Sequence, residues 1–120
     1  MSQFSKKFDL EERTAKFGEN VIDLCKIIKQ DAINKSIISQ LVRSTTSVGA
    51  NYCEANNACS IKDFKNKIFT CKKEIQESKH WLRMLAKAVS EQKEEIRKMW
   101  KEAQELALIF QKIINSLNRK

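Results

Sequence analysis

Chemistry in this 120-residue chain would have to begin from very few groups. His80 is the only imidazole, and the four cysteines, Cys25, Cys53, Cys59 and Cys71, show no C-x-x-C spacing. General acid-base catalysis needs a titratable group near neutrality beside a partner, and a zinc site needs several soft ligands at close spacing. Neither pattern is present, and no glycine-rich phosphate loop, nucleophile elbow or H-E-x-x-H run occurs. The cysteines read as small buried hydrophobes. One constellation, Arg43, Asn51 and Glu54, joins a guanidinium, an amide and a carboxylate within twelve residues of low charge. If they converge they are the sole candidate for catalysis; otherwise they are polar groups that need partners, Asn51 and Glu54 from a side chain such as Arg43. The expectation is a protein that is not an enzyme and holds no cofactor and no metal.

A second constellation is cationic. Lysine and arginine total 23 against 15 acidic residues, a net charge of +8 and a pI near 9.4. Residues 60 to 89 hold eight basic and three acidic side chains. Lys65, Lys72 and Lys79 recur every seven residues, with Lys62 and Arg83 on the adjoining helical position, so on a helix they form one stripe. A rod of cations can follow a phosphate backbone. The competing explanation is pairing with acids of a neighbouring helix, for which Glu91, Glu94, Glu95, Glu102 and Glu105 are available. Few aromatic residues accompany the stripe, so RNA contacts would be to phosphate rather than by base stacking.

The elements that carry these groups are helices. There is no proline, and the only glycines are Gly18 and Gly49, so the residues that punctuate strands and tight turns are nearly missing. Asp9 with Glu12 has the form of a capping box, and a first helix over about 9–30 carries the seam Leu10, Thr14, Phe17, Val21, Leu24, Ile28. Asn34 is placed to cap a second, over about 34–59, with Ile38, Leu41, Thr45, Val48, Tyr52, Ala55 and Cys59. Ser60 with Asp63 opens a third, over about 61–89, whose seam runs Ile61, Phe64, Ile68, Cys71, Ile75, Ser78, Leu82, Leu85, Val89. Ser90 is placed to cap a fourth, over about 91–118, with Ile96, Trp100, Ala103, Ala107, Phe110, Ile114 and Leu117, and with Met99, Leu106 and Ile113 alongside. Short links force antiparallel neighbours, so the fold is all-α, an up-down-up-down four-helix bundle filling 1–120 as one domain. Residues 1–8 and the last few residues are expected to fray. The fourth helix's apolar face is wide enough to suggest that several copies share it.

The second helix is unusual. From Ser44 to Ala58 it carries one formal charge and is dominated by small side chains. Its hydroxyls can return hydrogen bonds to carbonyls one turn back, and Gly49 in a helix interior points to close approach of another backbone. No apolar run nears the ~20 residues needed to cross a bilayer, and the N-terminus lacks a signal-peptide core, so a cytoplasmic protein without a membrane partner is expected.

Three runs carry a family likeness: Leu41 to Ala55, which includes Arg43, Ser47, Asn51 and Glu54; Lys62 to Ile68 around Phe64; and Glu74 to Leu85. Together they resemble the proteins encoded in intervening sequences of bacterial 23S rRNA genes, a family of four-helix, ribosomal-protein-like bundles. This chain departs from the commonest pattern in having one arginine rather than a pair, and Asn56 where a glycine often follows. The resemblance implies a basic homopentamer with a central pore or groove, associated with RNA. Similar bundles are accessory proteins of diversity-generating retroelements, where they assist a reverse transcriptase, so a protein-interaction scaffold is the alternative.

Overall fold

The computed structural model describes residues 9–119, so the expectations for residues 1–8 and for Lys120 lie outside the described residues. Four helices follow one another: α1 (Leu10–Lys26), α2 (Ala32–Asn56), α3 (Ile61–Ala88) and α4 (Lys93–Asn118), with a 3₁₀ turn, Ser90–Gln92, before the last. Each packs on the next and α4 closes back on α1, which makes an antiparallel up-down-up-down bundle. Its extents of 47 × 23 × 21 Å match the ~42 Å length of a 28-residue helix.

The caps explain the boundaries. Asp9 precedes α1 in a left-handed conformation, φ 38°, that aspartate tolerates better than most residues, and its Oδ1 accepts from the Glu12 amide at 3.4 Å. α1 ends at Lys26, because the amides of Ile27 and Ile28 turn to the carbonyls three residues back. Asp31, not Asn34, caps α2: its Oδ1 accepts from the Asn34 amide at 2.8 Å, and a carboxylate also meets the positive end of the helix dipole. Asn34 is buried instead, its Nδ2 donating to the Lys29 carbonyl at 2.9 Å, so it anchors the preceding turn.

α2 stops at Asn56, where Asn57 donates its side-chain amide back to the Cys53 carbonyl at 2.8 Å. Cys59, expected inside the helix, lies in the link and is exposed. Ser60 caps α3 as its spacing with Asp63 implies: Ser60 Oγ accepts from the Asp63 amide at 3.0 Å, and the Asp63 carboxylate accepts from the Cys59 amide at 3.4 Å. Ser90 does not cap α4. The extended residue is Val89 (φ −133°, ψ 75°), so Ser90 has already entered the 3₁₀ turn and α4 begins without a side-chain cap.

The core is the product of the four seams. Phe17, Leu41, Val48, Ile68, Ile75, Leu82, Leu85, Leu106 and Phe110 are fully buried. Some seam residues are not: Ile61 is 77% and Trp100 39% exposed, Cys59 is exposed, and Phe64 and Leu117 are half-buried. On α4 the bundle centre is built from Leu106, Ala103 and Phe110, with Met99 and Ile113 packed against it. One bundle therefore covers most of the broad α4 face.

The polar residues of α2 are satisfied within the fold. Thr45 Oγ1 donates to the Leu41 carbonyl at 2.9 Å, and Thr46 Oγ1 to that of Val42 at 2.7 Å. Ser78 of α3 places its hydroxyl 2.9 Å from that of Ser44. Among the described residues no buried side-chain nitrogen or oxygen lacks a partner. At Gly49 a β-carbon would meet Thr14 of α1 at 3.5 Å, and at Gly18 one would meet Thr46 at 3.6 Å. These are ordinary contacts, so α1 and α2 run close together without excluding a methyl group.

Candidate functional site

The three polar residues singled out on α2 do not converge. Arg43, Ser47, Asn51 and Glu54 follow one another at steps of four, four and three, so they share the α2 face turned to α3. Arg43 reaches across to Glu74, at 3.2 Å, and to Glu77. Asn51 donates to the Ser47 carbonyl at 2.9 Å and to its hydroxyl at 3.0 Å. Glu54 pairs with Lys67 of α3 at 2.6 Å. Arg43 and Asn51 stand eight residues apart, about 12 Å along the axis, so the expected Arg43 partnership is replaced by a bond within α2 for Asn51 and a cross-helix pair for Glu54. Glu77 also accepts from the Trp81 indole at 3.0 Å, which with Arg43 lowers its pKa. This row fastens α2 to α3 through the pairs of Arg43 and Glu54.

His80 is exposed on α3, its ring edge-on to Trp81 at 4.9 Å between centroids. Among the described residues no three His, Cys, Asp or Glu side chains are grouped to hold a metal ion. A groove of about 560 Å³ runs between α1 and α4 over Phe17 and Met99, rimmed by both signs of charge. Arg13 closes it with a two-pronged bond to Glu102, at 2.7 and 2.9 Å, and a third bond to Glu105 at 2.6 Å. The two carboxylates raise the Arg13 pKa, so this guanidinium stays charged.

Those pairs bear on the partners expected for the α3 lysines. Three of the five acids offered for pairing are used elsewhere: Glu102 and Glu105 turn to Arg13 on α1, and Glu95 lies 3.8 Å from Lys98 of its own helix, while Glu91 and Glu94 are exposed and lie within 4 Å of no basic group among the described residues. Among the described residues no ion pair within 4 Å engages Lys62, Lys65, Lys72, Lys79 or Arg83. The charges of α3 are segregated by neighbour. Glu74 and Glu77 face α2 and are met by Arg43, whereas the lysine row faces the α4 side, where Lys79 donates to Gln104.

On α4, Lys93, Arg97, Trp100, Gln104 and Gln111 follow the same helical rows that meet Lys79, and no acid interrupts them. The rows of α3 and α4 that meet at Lys79 are consequently cationic, with no acid among them.

Two aromatic residues missed by the sequence reading belong to this surface. Phe69 lies four residues after Lys65 and three before Lys72, hence beside both on the helix, and is 44% exposed. Trp100, placed in the core by its spacing, sits at the edge of α4, with Lys79 Nζ 4.9 Å from its ring centroid. The few aromatic residues expected beside the stripe are therefore these two. The signal was there for Phe69, which occupies the adjoining row with Lys62 and Arg83. For Trp100 it was hidden, because its neighbours in the row, Ile96, Ala103, Phe110 and Ile114, are buried while Trp100 alone stands at the row's outer edge.

Among the described residues no helix is long and apolar enough to cross a membrane. The family model described as 23S rRNA-intervening sequence protein matches residues 6–113. A crystal structure of a protein of unknown function from the S23 ribosomal protein family, from Bacteroides thetaiotaomicron VPI-5482, is similar at a TM-score of 0.75 and 29% identity. The match covers 87% of this chain and 96% of that one. Comparison with curated proteins returned no significant match.

Proposed function

This chain belongs to the 23S rRNA-intervening sequence protein family, and from that premise we propose that it is a non-catalytic, self-associating cytoplasmic bundle that holds RNA on its α3–α4 face. The observation that carries the reading is the row Lys62, Lys65, Lys72, Lys79 and Arg83, which has no acid within ion-pair distance, while Glu74 and Glu77 are drawn to Arg43 and Glu102 and Glu105 to Arg13. A cation already paired has little to gain from a phosphate. An unpaired row releases counterions from the polyanion, and this drives binding. Contacts of this kind position a nucleic acid without reading its bases. The test is a filter-binding titration against 23S rRNA fragments between 50 and 200 mM salt; affinity that is absent, or insensitive to salt, removes the proposal.

Self-association, as the pentamer that the family likeness implies, draws support from large apolar side chains on outer faces. Leu108 of α4 is 60% exposed, and Ile22 of α1 borders a shallow groove with Thr46, Ala50 and Cys53 of α2. Light scattering that finds a folded monomer at high concentration would overturn it. The same Leu108, on the side of α4 away from the core, favours a second reading, an accessory subunit docked on a protein partner such as a reverse transcriptase. A pull-down that recovers only the protein itself counts against that.

A further inference from the structure

We infer that the α3–α4 face takes single-stranded RNA in preference to duplex, with Phe69 and Trp100 as the rings on which unpaired bases stack. The inference rests on the proposed RNA association and specifies the form of RNA. A duplex hides the faces of its bases and offers phosphates and groove edges, for which cations alone suffice. A single strand exposes π-faces, and proteins that hold it combine a cationic track with exposed aromatic side chains. Both parts are present here. Phe69 lies between Lys65 and Lys72 on the surface of α3, and Trp100 lies beneath Lys79. No acid stands in the rows between them.

Phe69 and Lys79 are ten residues apart, about 15 Å along α3. That is several times the ~3.4 Å rise between stacked bases of one strand, so the two rings serve separate nucleotides of an extended strand rather than neighbours in a stack. Lys79 marks how the second ring is engaged. Its ammonium covers the indole face and donates to Gln104. An arriving strand offers a phosphate to the ammonium and a base to the ring, so each partner exchanges one favourable contact for another.

The test compares a 20-nucleotide oligouridine with a 20-base-pair RNA duplex by fluorescence anisotropy at one salt concentration, using the full chain. Phe69→Ala is the primary variant because the residue is exposed, and Phe69→Tyr is its conservative control. Trp81→Phe leaves Trp100 as the only tryptophan. The single strand should bind more tightly, and Phe69→Ala should weaken it roughly tenfold while Phe69→Tyr does not. Trp100 emission should be quenched as oligouridine binds. Equal affinity for both RNAs, unchanged by Phe69→Ala but lost in Lys65→Ala/Lys72→Ala, overturns the stacking and leaves the RNA association standing. No binding of either RNA overturns the association itself. A change of molecular mass in Phe69→Ala, without RNA, assigns the ring to a contact between copies and overturns the inference.

Discussion

The hydroxyl of Ser78 on α3 lies 2.9 Å from that of Ser44 on α2, both fully buried, at the point where the two longest-packed helices cross. Each has a carbonyl of its own helix in reach as well, Glu74 at 2.9 Å for Ser78 and Leu41 at 3.2 Å for Ser44. Neither proton is therefore stranded if the other hydroxyl is removed. Ser44→Ala and Ser78→Ala should each cost about 1 kcal/mol, and the double variant less than the sum, because either single variant already loses the bond between the two hydroxyls, which can be lost only once. Urea unfolding of the four proteins in the cycle measures this; strict additivity would mean the two hydroxyls do not interact.

Gly49 and Gly18 lie inside helices, where glycine costs up to ~1 kcal/mol relative to alanine. A β-carbon at either position would find its nearest neighbour at 3.5 or 3.6 Å, in van der Waals contact without overlap. Gly49→Ala is therefore expected to stabilise the bundle by about 0.5–1 kcal/mol and to raise Tm by a few degrees. A lowered Tm would show that α1 and α2 approach more closely than these distances state.

The two buried thiols make stability fall in alkali. Burial pushes Cys25 up to about 11 and Cys71 up to about 12, and the Cys71 thiol also lies 3.6 Å from the Val48 carbonyl as a donor. In the unfolded chain both ionise near 8.5, so above that pH the unfolded state binds fewer protons than the folded one and stability drops as pH rises. The contribution is complete below pH ~8.5 and is lost until the pH passes about 11 for Cys25 and about 12 for Cys71. Urea unfolding at pH 8 and pH 10 should show a decline of up to ~1.4 kcal/mol per pH unit for each thiol, and Cys25→Ala/Cys71→Ala should flatten it. The exposed Cys53 and Cys59 should react with a thiol reagent in the folded protein, and Cys25 and Cys71 only after unfolding.

Much of this arrangement is legible in the residues, and the part that is not has a common physical cause. The heptad steps from Phe64 to Val89 define the inward face of α3, and with it the side on which Lys65, Lys72 and Lys79 stand. They do not say which neighbour that side meets. Whether the lysines face acids depends on Glu102 and Glu105 turning to Arg13, a contact between residues ninety positions apart. On α4 two apolar rows lie side by side, one through Trp100 and one through Met99 and Leu106, and periodicity weighs them equally. Packing turns both inward, burying Ile96, Ala103, Phe110 and Ile114 of the first and Leu106 of the second, and leaves Trp100 at the outer edge, whereas an indole at the centre would need a partner for its N–H. Asn34 and Asp31 show the same limit on a small scale: both are good caps by type, and the turn geometry after Ile28 selects between them.

Arg13 ties the two ends of the chain together across the α1–α4 groove. Its partners are partly exposed, so the charge interaction is screened, but the two-pronged geometry with Glu102 favours order over loose attraction. Arg13→Ala should cost about 1 kcal/mol or less in global stability. It should raise amide exchange in α1 more than in α3, since α1 has only α2 and this seam to hold it. Uniform acceleration across all four helices would mean that α1 does not open separately.

The salt dependence of RNA binding separates free cations from neutralised ones within a single helix pair. Arg43 and Arg83 are both exposed arginines, yet Arg43 is bound to Glu74 and Glu77, while Arg83 stands in the row that has no acid within reach. Each free cation that replaces a counterion contributes about 0.7 to the slope of log affinity against log salt for a single strand, or about 0.9 for a duplex. Lys72→Ala and Arg83→Ala are accordingly expected to lower the slope by nearly one unit each and to weaken binding to all RNA sequences alike. Arg43→Ala should leave the slope unchanged, since Arg43 is already neutralised by Glu74 and Glu77 on the far side of α3 and replaces no counterion. If Arg43→Ala lowers the slope as much as Arg83→Ala does, the cations that matter are not sorted by their ion pairs, and the segregation of charge on α3 has no part in binding.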